Sequence, residues 1–171
     1  MQQKIEKLKN QLALEPHPEG GYFKETYRSV GRISQAHLGE PFSGDRNYAT
    51  GIYFLLTSGN FSAFHKIHQD EMWHFYGGSP IRLHVITPEG NYFTQLIGRE
   101  LGKGELPQFV VHAECWFASE VAVGTSYSLA GCTVSPGFDF QDFEMAKRDE
   151  LFEKFPNHKE IIKRLTRENV V

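Results

Sequence analysis

Long apolar runs are missing from this 171-residue chain. No stretch approaches the ~20 consecutive apolar residues of a membrane-spanning helix, so no membrane partner is expected. A basic surplus is missing too: 18 Lys and Arg stand against 21 Asp and Glu, a formal net charge of −3. No basic stripe is there to neutralise phosphates, and nucleic acid is not expected as a partner. Cysteine is scarce. Cys115 and Cys132 are the only two, too few for a disulfide framework. The opening segment MQQKIEKLKNQLAL lacks the continuous apolar core of a secretion signal, so the expectation is a cytoplasmic protein with two reduced thiols. There are no internal repeats, low-complexity tracts or charge blocks, which sets aside solenoids and disordered tails.

What is present is aromatic. Hydrophobic residues make up 40% of the chain, below the usual share of about 45–50%, but 14 Phe, 7 Tyr and 2 Trp compensate. An aromatic-rich chain of this length with 16 Gly points to one small β-rich domain, residues 1–171. Its expected parts are an N-terminal helix and turn over 1–20, a β-barrel over 21–135 and C-terminal helices over 136–171.

The patterning supports that division. Ile5, Leu8 and Leu12 recur at helical spacing and predict a short amphipathic helix, which Pro16, Pro18, Gly20 and Gly21 end. Residues 22–28, YFKETYR, read as a strand, and the polar stretch 29–46 reads as a long loop of the lid or interface kind. From 47 to 135, runs near 48–57, 61–67, 71–76, 81–87, 92–97, 108–112, 115–119 and 125–134 are separated by turn signals. Short strands with a turn about every ten residues predict a sandwich or barrel. After Pro136 and Gly137 the pattern turns helical, and the second helix is expected to start with Asn157 and Glu160 in a capping box.

Chemistry concentrates in residues 59–78, GNFSAFHKIHQDEMWHFYGG. Strand parity puts Phe61, Ala63, His65 and Ile67 on one largely apolar face, and Glu71, Trp73 and Phe75 on the matching face of the next strand. Both faces should point inward. A carboxyl inside a small barrel is costly unless paired or kept neutral, and His65 is the available partner. A structural polar pair and a ligand-binding pair are both open readings.

At this point the sequence resembles a family. Gly59, five residues, His65, Ile67, three residues, Glu71, six residues and Gly78 match the first cupin motif, with Ile67 in place of its second histidine. Longer stretches, HPEGGYFKETYRS, IYFLLTSGNFSAFHKIHQDEMWHFYGG and LAGCTVSPGFDFQDFEMA, resemble a small cupin family without assigned function. It lies within the RmlC-like superfamily and is fold-related to the dTDP-sugar 3,5-epimerases. The resemblance runs over roughly residues 8–165 and implies an all-β fold: a cupin-type antiparallel β-barrel, or jelly roll, with short N-terminal and C-terminal α-helices. The second cupin motif is weaker. His112 and Glu114 replace its proline and glycine, and Phe117 stands at its histidine.

Metal cupins use three histidines and one glutamate. This chain keeps His65 and Glu71 and has Ile67 and Phe117 at the other two positions, so no cofactor and no metal is expected. The resemblance then implies a binder of a small polar, sugar-like or nucleotide-like metabolite, and a possible metal-free epimerase or isomerase. His65 would be the general base, Glu71 its orienting neighbour and Tyr127 a candidate acid. Arg28 would meet an anionic group, while Trp73, Phe75 and Phe117 would wall the site. Two alternatives stand beside it. One is a metal-dependent oxygenase or isomerase with a divalent transition metal at His65, Glu71 and a third ligand, His68 or His74. The other is a non-catalytic ligand-binding module. The resemblance also implies a homodimer.

Overall fold

The computed structural model describes residues 1–124 and 126–168. Thr125, where the last strand was expected to begin, and residues 169–171 of the C-terminal segment lie outside the described residues. A helix, α1 (Gln2–Gln11), opens the chain. The longer strands follow as β1 (Tyr22–Arg28), β2 (Thr50–Thr57), β3 (Phe61–Lys66), β4 (Asp70–Gly78) and β5 (Ile81–Ile86). Then come β6 (Tyr92–Ile97), β7 (Gln108–Val111), β8 (Trp116–Val121) and β9 (Tyr127–Ser135). These strands fall within a few residues of their expected places. Between β1 and β2 the polar stretch holds a one-turn helix, α2 (Gln35–Leu38), and the small ladder Arg32–Ile33 with Arg46–Asn47. Two helices close the chain, α3 (Arg148–Lys154) and α4 (Lys159–Arg164).

The strands form two six-stranded sheets. The first runs Glu15–Pro16, β1, β2, β9, β4, β7; the second runs Glu105–Leu106, β6, β5, β8, β3, Glu144–Met145. Pairing is antiparallel except where Glu105–Leu106 joins β6. This is a mostly β, jelly-roll architecture with short terminal helices. Phe54, Leu56, Trp73, Leu83, Val85 and Phe117 fill the space between the inner faces. Each such burial contributes roughly 1.5–3 kcal/mol, which offsets the cost of the polar groups gathered at one end.

The helices cover the outer faces. Ile5 and Leu8 of α1 pack on Leu55 and Tyr127 outside the first sheet. Leu151, Phe155, Ile162 and Leu165 pack on Phe64, Ile86 and Trp116 outside the second. The expected capping box does not form: Asn157 lies inside a 3-10 turn, and α4 has His158 at its N-cap position with no side-chain cap.

One departure from simple alternation matters for the site. On β3, His65 faces Phe117 of β8, but Ser119 faces Ser62, so a bulge falls between them. The extra residue re-phases the strand. Ser62 and His65 both point inward, while Phe61 and Phe64 both pack outward under the C-terminal helices. Phe61 therefore does not share the face of His65.

Candidate functional site

A cavity of about 230 Å3 opens at one end of the barrel. His65 and Ile67 line it from the second-sheet side, Glu71 and Trp73 from β4, and Cys132 and Val134 from β9. Two segments outside the barrel complete it. The turn between α1 and β1 contributes His17 and Glu19, and the chain after β9 contributes Phe138, Asp139, Phe140 and Phe143. The expected lid, residues 29–46, lines none of it; the aromatic segment after β9 takes that place.

The turn at Glu19 is built by its glycines. Gly20 has φ +115°, a conformation only glycine adopts readily, and a Cβ there would run into the Phe61 carbonyl. Its amide bonds the His17 carbonyl at 3.0 Å, and the Ala63 amide bonds the Glu19 carbonyl at 2.8 Å. The Glu19 side chain is thereby aimed into the barrel, 6% exposed.

Glu19 is the carboxyl that His65 meets. Its Oε2 lies 3.1 Å from His65 Nε2 and 3.3 Å from His17 Nδ1, and its Oε1 accepts from the Ser62 hydroxyl at 2.8 Å. His65 Nδ1 lies 2.7 Å from the Ala63 carbonyl, so that nitrogen carries the proton and donates. Both ring nitrogens of His65 are engaged. Burial pushes Glu19 above the ordinary carboxyl range and pushes both His65 and His17 below the ordinary imidazole range. All three shifts favour the uncharged state, with the shared proton on Glu19.

Glu71 is not hydrogen-bonded into that network but lies within charge range of it, its charge raising the His65 value against burial. It comes from the first sheet, across the cavity from β3. The Cys132 thiol lies beside it on the neighbouring strand. Burial, then the nearby Glu19, push the Glu71 carboxyl up to about 7. The same burial, with Glu71 beside it, holds the Cys132 thiol well above its usual range, so Cys132 is not a nucleophile.

The other expected site residues divide. Trp73 lines the cavity, edge-on to Phe54 at 5.6 Å. Phe117 is buried behind His65, ring centroids 4.1 Å apart, and does not line the cavity. Phe75 packs on the apolar core away from the cavity, with the Arg99 guanidinium over its ring. Tyr127 is corrected: it faces outward beneath α1, because Ala130, Cys132 and Val134 take the inward positions of β9 and Tyr127 falls on the opposite parity. Arg28 reaches the mouth, but Glu25 engages it through both oxygens at 2.9 and 2.8 Å, so it is not a free cation. Glu19 and His17 were not read as site residues. The signal available was a histidine and a carboxyl between two prolines and a Gly pair.

The residues do not fit a cupin metal. At the two positions where ligands would stand, Ile67 is apolar and Phe117 covers the imidazole edge. His65 Nε2 is turned to the Glu19 carboxyl, and no three His, Cys, Asp or Glu side chains are grouped to hold an ion among the described residues. His68 turns to Glu114 at 2.5 Å, and His74 to Thr133 at 3.0 Å.

A jelly-roll barrel with a polar, aromatic-walled cavity at one end, carrying the His65 and Glu71 positions of the first motif, is a cupin. The chain belongs to the family described as Cupin_5: Cupin superfamily (DUF985), whose model matches residues 6–146. A Saccharomyces cerevisiae relative, the uncharacterized protein YML079W, is 32% identical over 157 residues, covering 86% of this chain and 78% of the yeast protein. Two solved structures are similar over nearly their whole length. A hypothetical protein from Leishmania major has TM-score 0.88 and 36% identity, covering 95% of this chain and 98% of its own. Protein SO0799 from Shewanella oneidensis has TM-score 0.85 and 38% identity, covering 96% and 98%.

Proposed function

We propose that the barrel binds a small polar metabolite and moves a proton on it without a metal, as an isomerase or epimerase does. The observation that carries this reading is the position and state of Glu71. It is a buried carboxyl at about 7, facing a cavity that the Glu19–His65 pair also lines. A group whose proton is balanced near neutral pH both accepts and donates readily. Epimerisation asks for acid–base groups on two sides of one carbon.

In this reading Glu71, ionised, takes a proton from a carbon next to a carbonyl. His65 returns one from Nε2 to the opposite face, drawing on the proton it shares with Glu19. The substrate is rearranged with no change in composition or oxidation state, and both groups reset by exchange with water. Glu19 acts through His65 and is a positioning residue. Trp73 and the phenylalanines of the cap exclude bulk water.

The test works with the substrate still unidentified. A metabolite extract is incubated in D2O with the native protein and followed by mass spectrometry. Deuterium should enter one metabolite, and the incorporation should disappear with His65→Gln and with Glu71→Gln. The proposal is wrong if no metabolite gains deuterium over a heat-inactivated control, or if both variants retain the exchange.

A further inference from the structure

The ionisable groups around the cavity include more carboxyls than cations. Two carboxyls, Glu19 and Glu71, face its interior, and Asp139 stands at its mouth with the Glu25–Arg28 pair. The Arg28 guanidinium is neutralised by Glu25 and spends four of its five N–H groups: besides Glu25, it donates to Asn47 Oδ1 at 2.9 Å and to the Phe138 carbonyl at 3.1 Å. Arg167, the other arginine near Glu19, donates to the carbonyls of Glu19 and Phe61 from behind the turn and does not line the cavity. Among the described residues, an anionic ligand would meet carboxyls and no free cation. A phosphate-bearing sugar or nucleotide is therefore a poor match.

The walls supply the other half of the argument. Phe23, Phe54, Trp73, Phe138, Phe140 and Phe143 surround the space, several edge-to-face, as with Phe138 and Phe140 at 5.0 Å. Aromatic faces attract cations, most strongly where water is excluded. At about 230 Å3 the space suits one ring with a short substituent, since a cavity of ~150 Å3 already takes benzene. Glu71 is 9% exposed, lines the cavity, and its carboxyl makes no hydrogen bond among the described residues, so its oxygens are open to a ligand.

We infer that the ligand is a small planar organic cation, an amine or amidine carried on a ring, whose N–H groups donate to Glu71 while the ring lies among the aromatic walls. This deepens the preceding reading and rests on it for the cavity being a ligand site, though not for turnover. One Glu71 oxygen holds the cationic nitrogen and the other remains free toward the ring. A positive charge beside the reacting carbon would also acidify its C–H bond.

Three probes of one shape isolate the charge: benzamidinium, benzamide and benzoate, titrated calorimetrically into the full chain. Benzamidinium should bind at least roughly tenfold more tightly than benzamide, and benzoate should not bind. Glu71→Gln, nearly isosteric, should remove the preference for the cation. The native-protein ranking stands as a test even if that variant misfolds. Benzoate binding as tightly as benzamidinium, a cation preference untouched by Glu71→Gln, or no binding of any probe overturns the assignment. A preserved cation preference without deuterium exchange would instead overturn catalysis and leave the ligand class standing.

Discussion

Glu71→Gln separates the energetic cost of the site from its chemistry. In the unfolded chain Glu71 titrates near 4.5, and in the barrel near 7. Between those values the folded protein holds a proton that the unfolded chain has released. Stability from this group is thus complete below about pH 4.5 and is lost as pH rises through 7. Each unit is worth about 1.36 kcal/mol, so the loss is roughly 3 kcal/mol. Glutamine keeps the shape and cannot ionise. The buried imidazoles of His17 and His65 work in the opposite direction, because they are held below their ordinary value and destabilise the fold as pH falls. His17 is common to both proteins and cancels in the difference, whereas the variant also loses the Glu71 charge that raises His65. Urea unfolding followed by circular dichroism, at intervals from pH 4.5 to 8, should show the variant gaining on the native protein by roughly 3 kcal/mol across the range. A stability difference that stays flat over this window would refute both the burial argument and the assigned protonation state.

Two other outcomes follow from the geometry. Arg46 and Asp142 form a buried two-point ion pair at 2.5 and 2.6 Å, joined by Gln69 at 2.6 Å, which ties the aromatic cap to the barrel. Asp142→Ala should cost about 3–5 kcal/mol by denaturant unfolding, whereas Arg46→Met with Asp142→Leu should cost far less; equal costs would contradict the pair's role. Tyr27, Tyr53 and Tyr76 lie on the outer face of the first sheet beyond α1, with Tyr27 57% and Tyr76 44% exposed. An aromatic patch of this kind is expected to pair with a second copy, so light scattering should give twice the mass of the chain, and a stable monomer at micromolar concentration would count against it.

The barrel was legible because its signals are local. Turn residues punctuate the chain and alternation marks the inward faces, which is why His65, Glu71 and Trp73 could be placed at the cavity from parity alone. What escaped depends on long-range placement. Glu19 reads as a residue in a helix-ending turn, and only its docking against Ser62 and His65 makes it part of a site. The β3 bulge turns Ser62 inward against strict alternation and leaves no mark in the text. Glu114 shows the reverse situation. It occupies the glycine position of the second cupin motif and keeps a glycine-like φ of +63°, a conformation that costs on the order of 1–3 kcal/mol in a residue with a Cβ. The motif's backbone survives where its letters do not, and the carboxylate so placed holds His68 and Lys66.

The clamp of Arg167 on the Glu19 turn carries a consequence for timing. Its guanidinium spans a sequence separation of 148 residues to reach the Glu19 carbonyl and also grips the Phe61 carbonyl and the Asn60 side chain. On the ribosome the turn is made early, but the last contact securing it emerges only after both sheets have been synthesised. Contacts so distant in sequence form late, because loop closure must be paid for first. During synthesis the barrel can therefore collapse around its apolar core while the Glu19 end is still open. The nascent chain would pass through a stage that is folded but unable to bind, with the pocket the last part of the molecule to mature.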